Sequence, residues 1–286
     1  GAGAVGCHLA HALRPGVNVL MVDPSDAVRA GLRARGLPAT APSELGEAHP
    51  QVSERDVPVI ATSAAVAQKA AGIVPKGVPL VCVANGLLPG LERQRAGELA
   101  LGVVEFAASS PGPGEPLETK PGWLTLQDSG AGRGADAASR CPSQRLHSAI
   151  DPARQRVRLS TDIHAHRHSK LLLNASLDPV AAVIGGTIGD VFRHRQAFRA
   201  FRVLLREGLA VARASGWTLH KVQGTHPATM GRVFAMPVLS RLAARIASVQ
   251  ARAVQSTLAR ELARGQIGEA DYLSGAIVRQ DATVGV

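Results

Sequence analysis

Aromatic residues make up only 3% of this 286-residue chain. Its core must therefore be built from Leu, Val, Ile and Ala, and it holds no aromatic-studded basic run of the kind that stacks nucleic-acid bases. Cysteine is just as scarce. Cys7, Cys82 and Cys141 are odd in number, far apart and never in a CxxC pair, which excludes a disulfide scaffold and points to a reducing compartment. No apolar run reaches the roughly 18 residues of a membrane span, and no secretory leader is expected. A cytoplasmic setting follows, with an organelle open if a transit peptide lies upstream. Acid is short relative to base, 22 residues against 32, for a net charge of +10. Such an excess can serve an anionic polymer, but without stacking aromatics it reads more simply as a solvated arginine surface. Neither nucleic acid nor a membrane is expected as a partner.

What is present suits a globular protein of two domains: 45% hydrophobic and 19% charged residues over a length that can bury a sizeable core. The chain opens on GAGAVG, a G-x-G-x-x-G fingerprint. Gly1 permits the tight turn, Gly3 lets the backbone approach a pyrophosphate, and Gly6 lets the next helix pack closely, with Ala4 and Val5 at the helix start. A helix-like CHLAHAL follows, then the β-run VNVLMVD (17–23) ending in Asp23. Fingerprint, helix, strand and acid stand in the order of a dinucleotide-binding unit. A carboxylate at Asp23 accepts from a ribose 2′-OH and repels a 2′-phosphate, which leans toward NADH over NADPH; the plainer alternative is that Asp23 caps the next helix.

Further strands are predicted at VPVIAT (57–62), VPLVCVANG (78–86), LGVVEFAASS, GWLTLQD and RVRLS (156–160), with a helix between the first two. Asn85-Gly86 lies at a strand's carboxyl end, where open α/β sheets bind ligands, or serves only as a turn. Residues 129–145 read as a linker. From about 162 the pattern becomes helical: 164–185, 193–215, a stretch from 227 to 264 too long for one helix and expected to break near Pro237, and GEADYLSGAIV. The predicted fold is thus an α/β Rossmann-like domain over 1–161 and an all-helical domain over 162–286, with a ligand expected between them.

Within the helical part, KLLLNASLDPVAAV places Lys170, Asn174 and Asp178 every fourth residue, on one face of a largely apolar helix. A solvated polar stripe would explain the row without chemistry. So would one wall of a catalytic cleft. HAHRH (164–168) sets His164 and His168 four apart, but no third metal ligand stands out, so no metal is expected.

Four pieces, GAGAVG, ANG (84–86), KLLLNASLDP (170–179) and STLARELARGQIGEADYLSG (256–275), resemble the ketopantoate reductase (2-dehydropantoate 2-reductase) family in order and spacing. The resemblance implies NADPH- or NADH-dependent reduction of a small 2-oxo acid, ketopantoate to pantoate in the route to pantothenate and coenzyme A, by a monomer or homodimer. It implies a general-acid role for Lys170, substrate positioning for Asn174 and Asp178, carboxylate binding for Thr257, an acid steadying lysine and substrate at Glu269, and an amide near the nicotinamide and carbonyl at Asn85. The chain departs from the family at Asp178, where an asparagine is usual, at Ser63 for a lysine, and at His168 for a tryptophan. A first strand before Gly1 and a closing helix after Val286 are expected and missing. Two further readings stay open: a relative acting on another small oxo or hydroxy acid, and a degenerate nucleotide-binding protein without turnover.

Overall fold

A computed structural model describes residues 1–45, 52–53, 55–128, 141–263, 265 and 269–285. The chain divides into two compact units, Gly1–Ala84 with Leu88–Ile163, and Asn85–Leu87 with His164–Val286. The expected boundary lay at 161/162. The division falls at 163/164, and Asn85–Leu87 joins the second unit.

The first unit is α/β. Helix α1 (Ala4–His11) precedes the short strands β1 (Met21–Val22) and β2 (Ala39–Thr40), which pair in parallel and flank α2 (Asp26–Arg33). A five-stranded sheet has the order β3 (Val59–Ile60), β4 (Leu80–Cys82), β5 (Leu99–Val104), β8 (Trp123–Gln127), β9 (Arg156–Ser160). Its pairings are parallel except β5 with β8. Helices α3 (Ala64–Ala71) and α4 (Pro89–Gln94) connect the first three strands, and β6 (Ala107–Ser109) pairs with β7 (Leu117–Lys120). The central strands read as continuous apolar runs because both faces are buried. Leu80, Val81, Leu124 and Leu126 are among the most buried side chains of the chain.

A buried polar cluster interrupts this core. Thr125 donates to Glu105 (2.7 Å), and Arg158 donates to both Thr125 (2.8 Å) and Glu105 (2.6 Å). The pairing with Arg158 is what allows a carboxylate at Glu105 to stay buried.

The second unit is helical: α6 (Ile163–Ile184), α7 (Ile188–Arg193), α8 (Arg195–Ala214), α9 (Pro227–Ala235), α10 (Pro237–Gln250), α11 (Thr257–Ala263) and α12 (Ser274–Val284). Phe192, Phe198, Phe201 and Phe234 gather edge-to-face at its centre, so four of the chain's five phenylalanines share one cluster.

Four expectations need correction. The run 17–23 yields a strand only at Met21–Val22, because β2 offers just two partner residues. Of the expected linker, 129–140 lies outside the described residues, while Pro142–Ala149 forms α5, started by a proline at its first position. The stretch 227–264 breaks at Pro237 as expected and a second time after Gln250. The last helix begins at Ser274, with turns over 269–273 ahead of it.

Candidate functional site

In the first unit the fingerprint glycines do separate jobs. A β-carbon on Gly6 would collide with the carbonyl oxygen of Gly1, so only glycine lets α1 pass that close to its own loop. A β-carbon on Gly1 would sit 2.6 Å from Thr62 Cγ2, just past β3. Beside Gly3 nothing lies within 4 Å. Ala4 and Val5 open α1, whose first turn carries no acid and whose N-cap makes no side-chain bond. Its first amides are therefore available to an anionic group. The residues present thus fit a dinucleotide.

Asp23 is tied into this loop. Its Oδ2 accepts from the Ala2 N–H and its Oδ1 from the Ser25 N–H, each at 3.0 Å. The cap of α2 is Ser25, which accepts from Val28, so the capping alternative for Asp23 falls away. Arg29, the nearest guanidinium downstream, donates to the Asp23 carbonyl (2.7 Å) and pairs with Asp26. Ser63 sits at the N-cap of α3 without a side-chain cap bond.

In the second unit, residues from three stretches converge. Lys170, half-buried on α6, donates from Nζ to Asn85 Oδ1 at 2.6 Å. The Asn85 amide also eases the charge on the Glu269 carboxyl, so the amide stands between an ammonium and a carboxylate. It is held by its neighbour: Gly86 has φ +81°, a β-carbon there would collide with the Tyr272 carbonyl, and Arg167 Nη2 donates to the Gly86 carbonyl at 3.0 Å. The positive φ belongs to Gly86 and not to Asn85.

Glu269 is buried, and its Oε2 has no hydrogen-bond partner among the described residues. Burial pushes its carboxyl above the ordinary range, and the nearby Glu261 pushes it further; the Lys170 charge opposes this. Its backbone N–H donates to Glu261 Oε2 at 3.0 Å. Asp178 is also buried, and burial raises it to about 6 against the partial relief of a Ser256 hydrogen bond and the charges of Lys170 and Arg260. Asn174, between Lys170 and Asp178, is half-buried. The row on α6 therefore does not run along solvent.

Thr257 opens α11, and its side chain lies outside what the structure describes. Its neighbour Ser256 is buried, accepts from the Ala259 N–H (3.2 Å) and lies 3.4 Å from the Asp178 carbonyl. Ser256, Glu261 and Arg167 escaped the sequence reading. Ser256 alone carried a local signal, a serine directly before a helix. His168 stacks on Trp217 (4.2 Å between centroids, 6° between planes), which anchors α6 where the family has its tryptophan. The His164 and His168 rings are 6.3 Å apart, and the described residues contain no metal-holding group of three ligands.

Two family models match the chain: "Ketopantoate reductase PanE/ApbA" over residues 1–130 and "Ketopantoate reductase PanE/ApbA C terminal" over 162–286. Among solved structures, the ternary complex of D-mandelate dehydrogenase with NADH and anilino(oxo)acetate superposes with TM-score 0.73 at 18% identity, covering 100% of this chain and 91% of that one. A PanE/ApbA family ketopantoate reductase from Ralstonia eutropha JMP134 gives 0.72 at 24%, with the same coverage. A ketopantoate reductase from Staphylococcus aureus, described as dimeric, gives 0.66 at 15%, again over 100% and 91%. A comparison with curated proteins finds no match.

Proposed function

The chain belongs to the ketopantoate reductase family of NAD(P)H-dependent 2-oxo acid reductases, and from that premise we propose that it reduces ketopantoate to pantoate, the step that feeds pantothenate synthesis. The observation that carries this reading is the Lys170–Asn85 hydrogen bond, with the buried Glu269 carboxyl close enough to act on the lysine's charge.

The reduced nicotinamide supplies a hydride to the carbonyl carbon of the substrate. Lys170 does the rest of the chemistry. As negative charge develops on the carbonyl oxygen, the ammonium stabilises it and then donates a proton. Asn85 fixes the direction of that ammonium through its Oδ1, and the Gly86 turn holds Asn85 in place, so the acid is aimed before substrate arrives; the Glu269 carboxyl favours the charged lysine. Asn174 and the Thr257 hydroxyl position the 2-oxo acid. Gly1 to Gly6 hold the pyrophosphate on the start of α1. Asp23 receives the ribose 2′-OH, and with Arg29 already engaged by Asp26 and the Asp23 carbonyl, NADH is favoured over NADPH.

A second reading rests on Asp178. A carboxylic acid in place of the family's asparagine changes the hydrogen bonds that the row on α6 offers a substrate, and the protein then serves another small oxo or hydroxy acid. The test is to follow loss of the reduced-nicotinamide absorbance with ketopantoate and, in parallel, with bulkier 2-oxo acids, using NADH and NADPH. Turnover of ketopantoate above all others supports the first reading. Turnover of another 2-oxo acid alone supports the second. No oxidation with any substrate overturns both.

A further inference from the structure

Asn85 is followed by the least restrained kind of residue. Gly86 has φ +81°, a region that glycine enters freely, so its own backbone does little to keep the turn in one shape. The restraint comes from other segments, and it acts on a single peptide unit. The Gly86 carbonyl accepts from Arg167 Nη2 at 3.0 Å. The N–H of the same peptide, that of Leu87, donates to the Tyr272 carbonyl at 3.4 Å. A peptide unit is a rigid plane, so bonds from its two edges hold its orientation and with it the backbone angles on either side. Tyr272 is tied back in turn: its N–H donates to the Glu269 carbonyl at 3.0 Å. Arg167, the Gly86–Leu87 peptide, Tyr272 and Glu269 thus form one connected line within the second unit.

Arginine is not what packing alone would place on α6 at this point. Arg167 is 6% exposed, and its helix buries Ala165 before it and Leu171 after it. Desolvating a guanidinium there costs far more than burying a leucine or methionine of similar length. Its place on the helix accounts for it. Arg167 and Lys170 are three residues apart, so they lie on one side of α6. Both reach the same turn: Lys170 to the Asn85 side chain at 2.6 Å, Arg167 to the carbonyl of the next residue. Helix α6 therefore carries the acid and, close to one turn earlier, a brace on the acid's partner. Arginine suits the task because its stem packs along the helix while its planar fork extends to the carbonyl.

We propose that Arg167 is a positioning residue for the reduction: by clamping the Gly86–Leu87 peptide it holds Asn85 where the amide aims Lys170. The role rests on the reading of Lys170 as the acid. The test is steady-state kinetics of the full chain, with the 2-oxo acid and cofactor that the wild type turns over fastest and circular dichroism as the folding control. Arg167→Met should lower kcat about tenfold, the loss expected of Asn85→Ala, and leave KM for the reduced nicotinamide unchanged. The double variant Arg167→Met/Asn85→Ala should be no slower than Asn85→Ala alone, because the brace has nothing left to hold. Should Arg167→Met not fold, Arg167→Gln takes its place in the same comparison: it stays polar but falls short of the Gly86 carbonyl. Wild-type kcat in the single variant overturns the proposal. So does a double variant about a hundredfold below wild type, since the two losses then multiply and Arg167 acts apart from Asn85. A lower melting temperature with kcat unchanged makes Arg167 a residue of the fold alone and also overturns it. A wild type that oxidises neither cofactor with any 2-oxo acid overturns the reading of Lys170, and the proposal falls with it.

Discussion

Lys170 Nζ and Asn85 Oδ1 lie 2.6 Å apart although 85 residues separate them in sequence. The contact joins the middle of a long helix to the turn after a β-strand, and it fixes the direction of an ammonium that has several free rotors of its own. If Lys170 is the acid, Lys170→Ala should lower kcat about 10²–10⁴-fold, the range of a lost general acid. Fluorescence titration with reduced nicotinamide should show cofactor affinity unchanged. Equal loss of cofactor affinity would mean that Lys170 is structural. Asn85→Ala should lower kcat less, by about tenfold, because the acid remains but is no longer aimed.

Asp178 predicts a pH dependence. Its carboxyl titrates near 6 in the folded protein, against an ordinary value of 3.8. Between these values the folded state keeps a proton that the unfolded state has lost. Stability from this group is therefore complete below the lower value and declines as pH rises through the upper one. Asp178→Asn should flatten the melting temperature between those limits and stabilise the protein above pH ~7 by about 1–3 kcal/mol. The same change should raise kcat/KM for an anionic 2-oxo acid at neutral pH, while the wild type gains on that substrate as pH falls toward 6. Superimposable stability and rate profiles would show that the carboxyl neither strains the fold nor faces the substrate.

The polar row on α6 was legible in the sequence, and the reason is periodicity; Glu269 was reached only through the family resemblance. Lys170, Asn174 and Asp178 share a face because the helix repeats near four, and GAGAVG folds as its glycine spacing requires. What was not legible depends on register between distant segments. Glu105 stands just past the end of β5, Thr125 on β8 and Arg158 on β9, and only the β5–β8–β9 pairing brings them together. Ser256 was not picked out because sequence position alone does not bring its hydroxyl to the Asp178 carbonyl, 78 residues away. The run 17–23 shows the converse limit: β-propensity makes a strand only as long as its partner, and β2 offers two residues. Helix α5 was read as a linker because its composition is polar; its folding rests on Leu146, buried in the core of the first unit.

Gly86 should tolerate no side chain. Its φ of +81° disfavours any L-residue, and the Tyr272 carbonyl occupies the space of a β-carbon. Gly86→Ala should cost about 1–3 kcal/mol from the strained conformation alone. Because Asn85 is the next residue, activity should fall further than stability explains. A variant that melts like the wild type and turns over normally would show that the turn is not what holds Asn85.

Asp23 carries the last prediction, on the cofactor. Its carboxylate is held at the loop by the Ala2 and Ser25 amides, so its charge has a fixed place beside the fingerprint. A fixed negative charge there favours a free 2′-OH and repels a 2′-phosphate. Asp23→Ser should therefore raise KM for NADH while lowering KM for NADPH, since the hydroxyl can still accept a hydrogen bond but no longer repels. Asp23→Asn keeps the shape and removes the charge, so it should move the NADPH value in the same direction. Steady-state kinetics with both cofactors separates this from simple damage to the loop. If both KM values rise together in both variants, the carboxylate matters for holding Ala2 and not for choosing the cofactor. If neither moves, the 2′ position of the ribose is read by another residue.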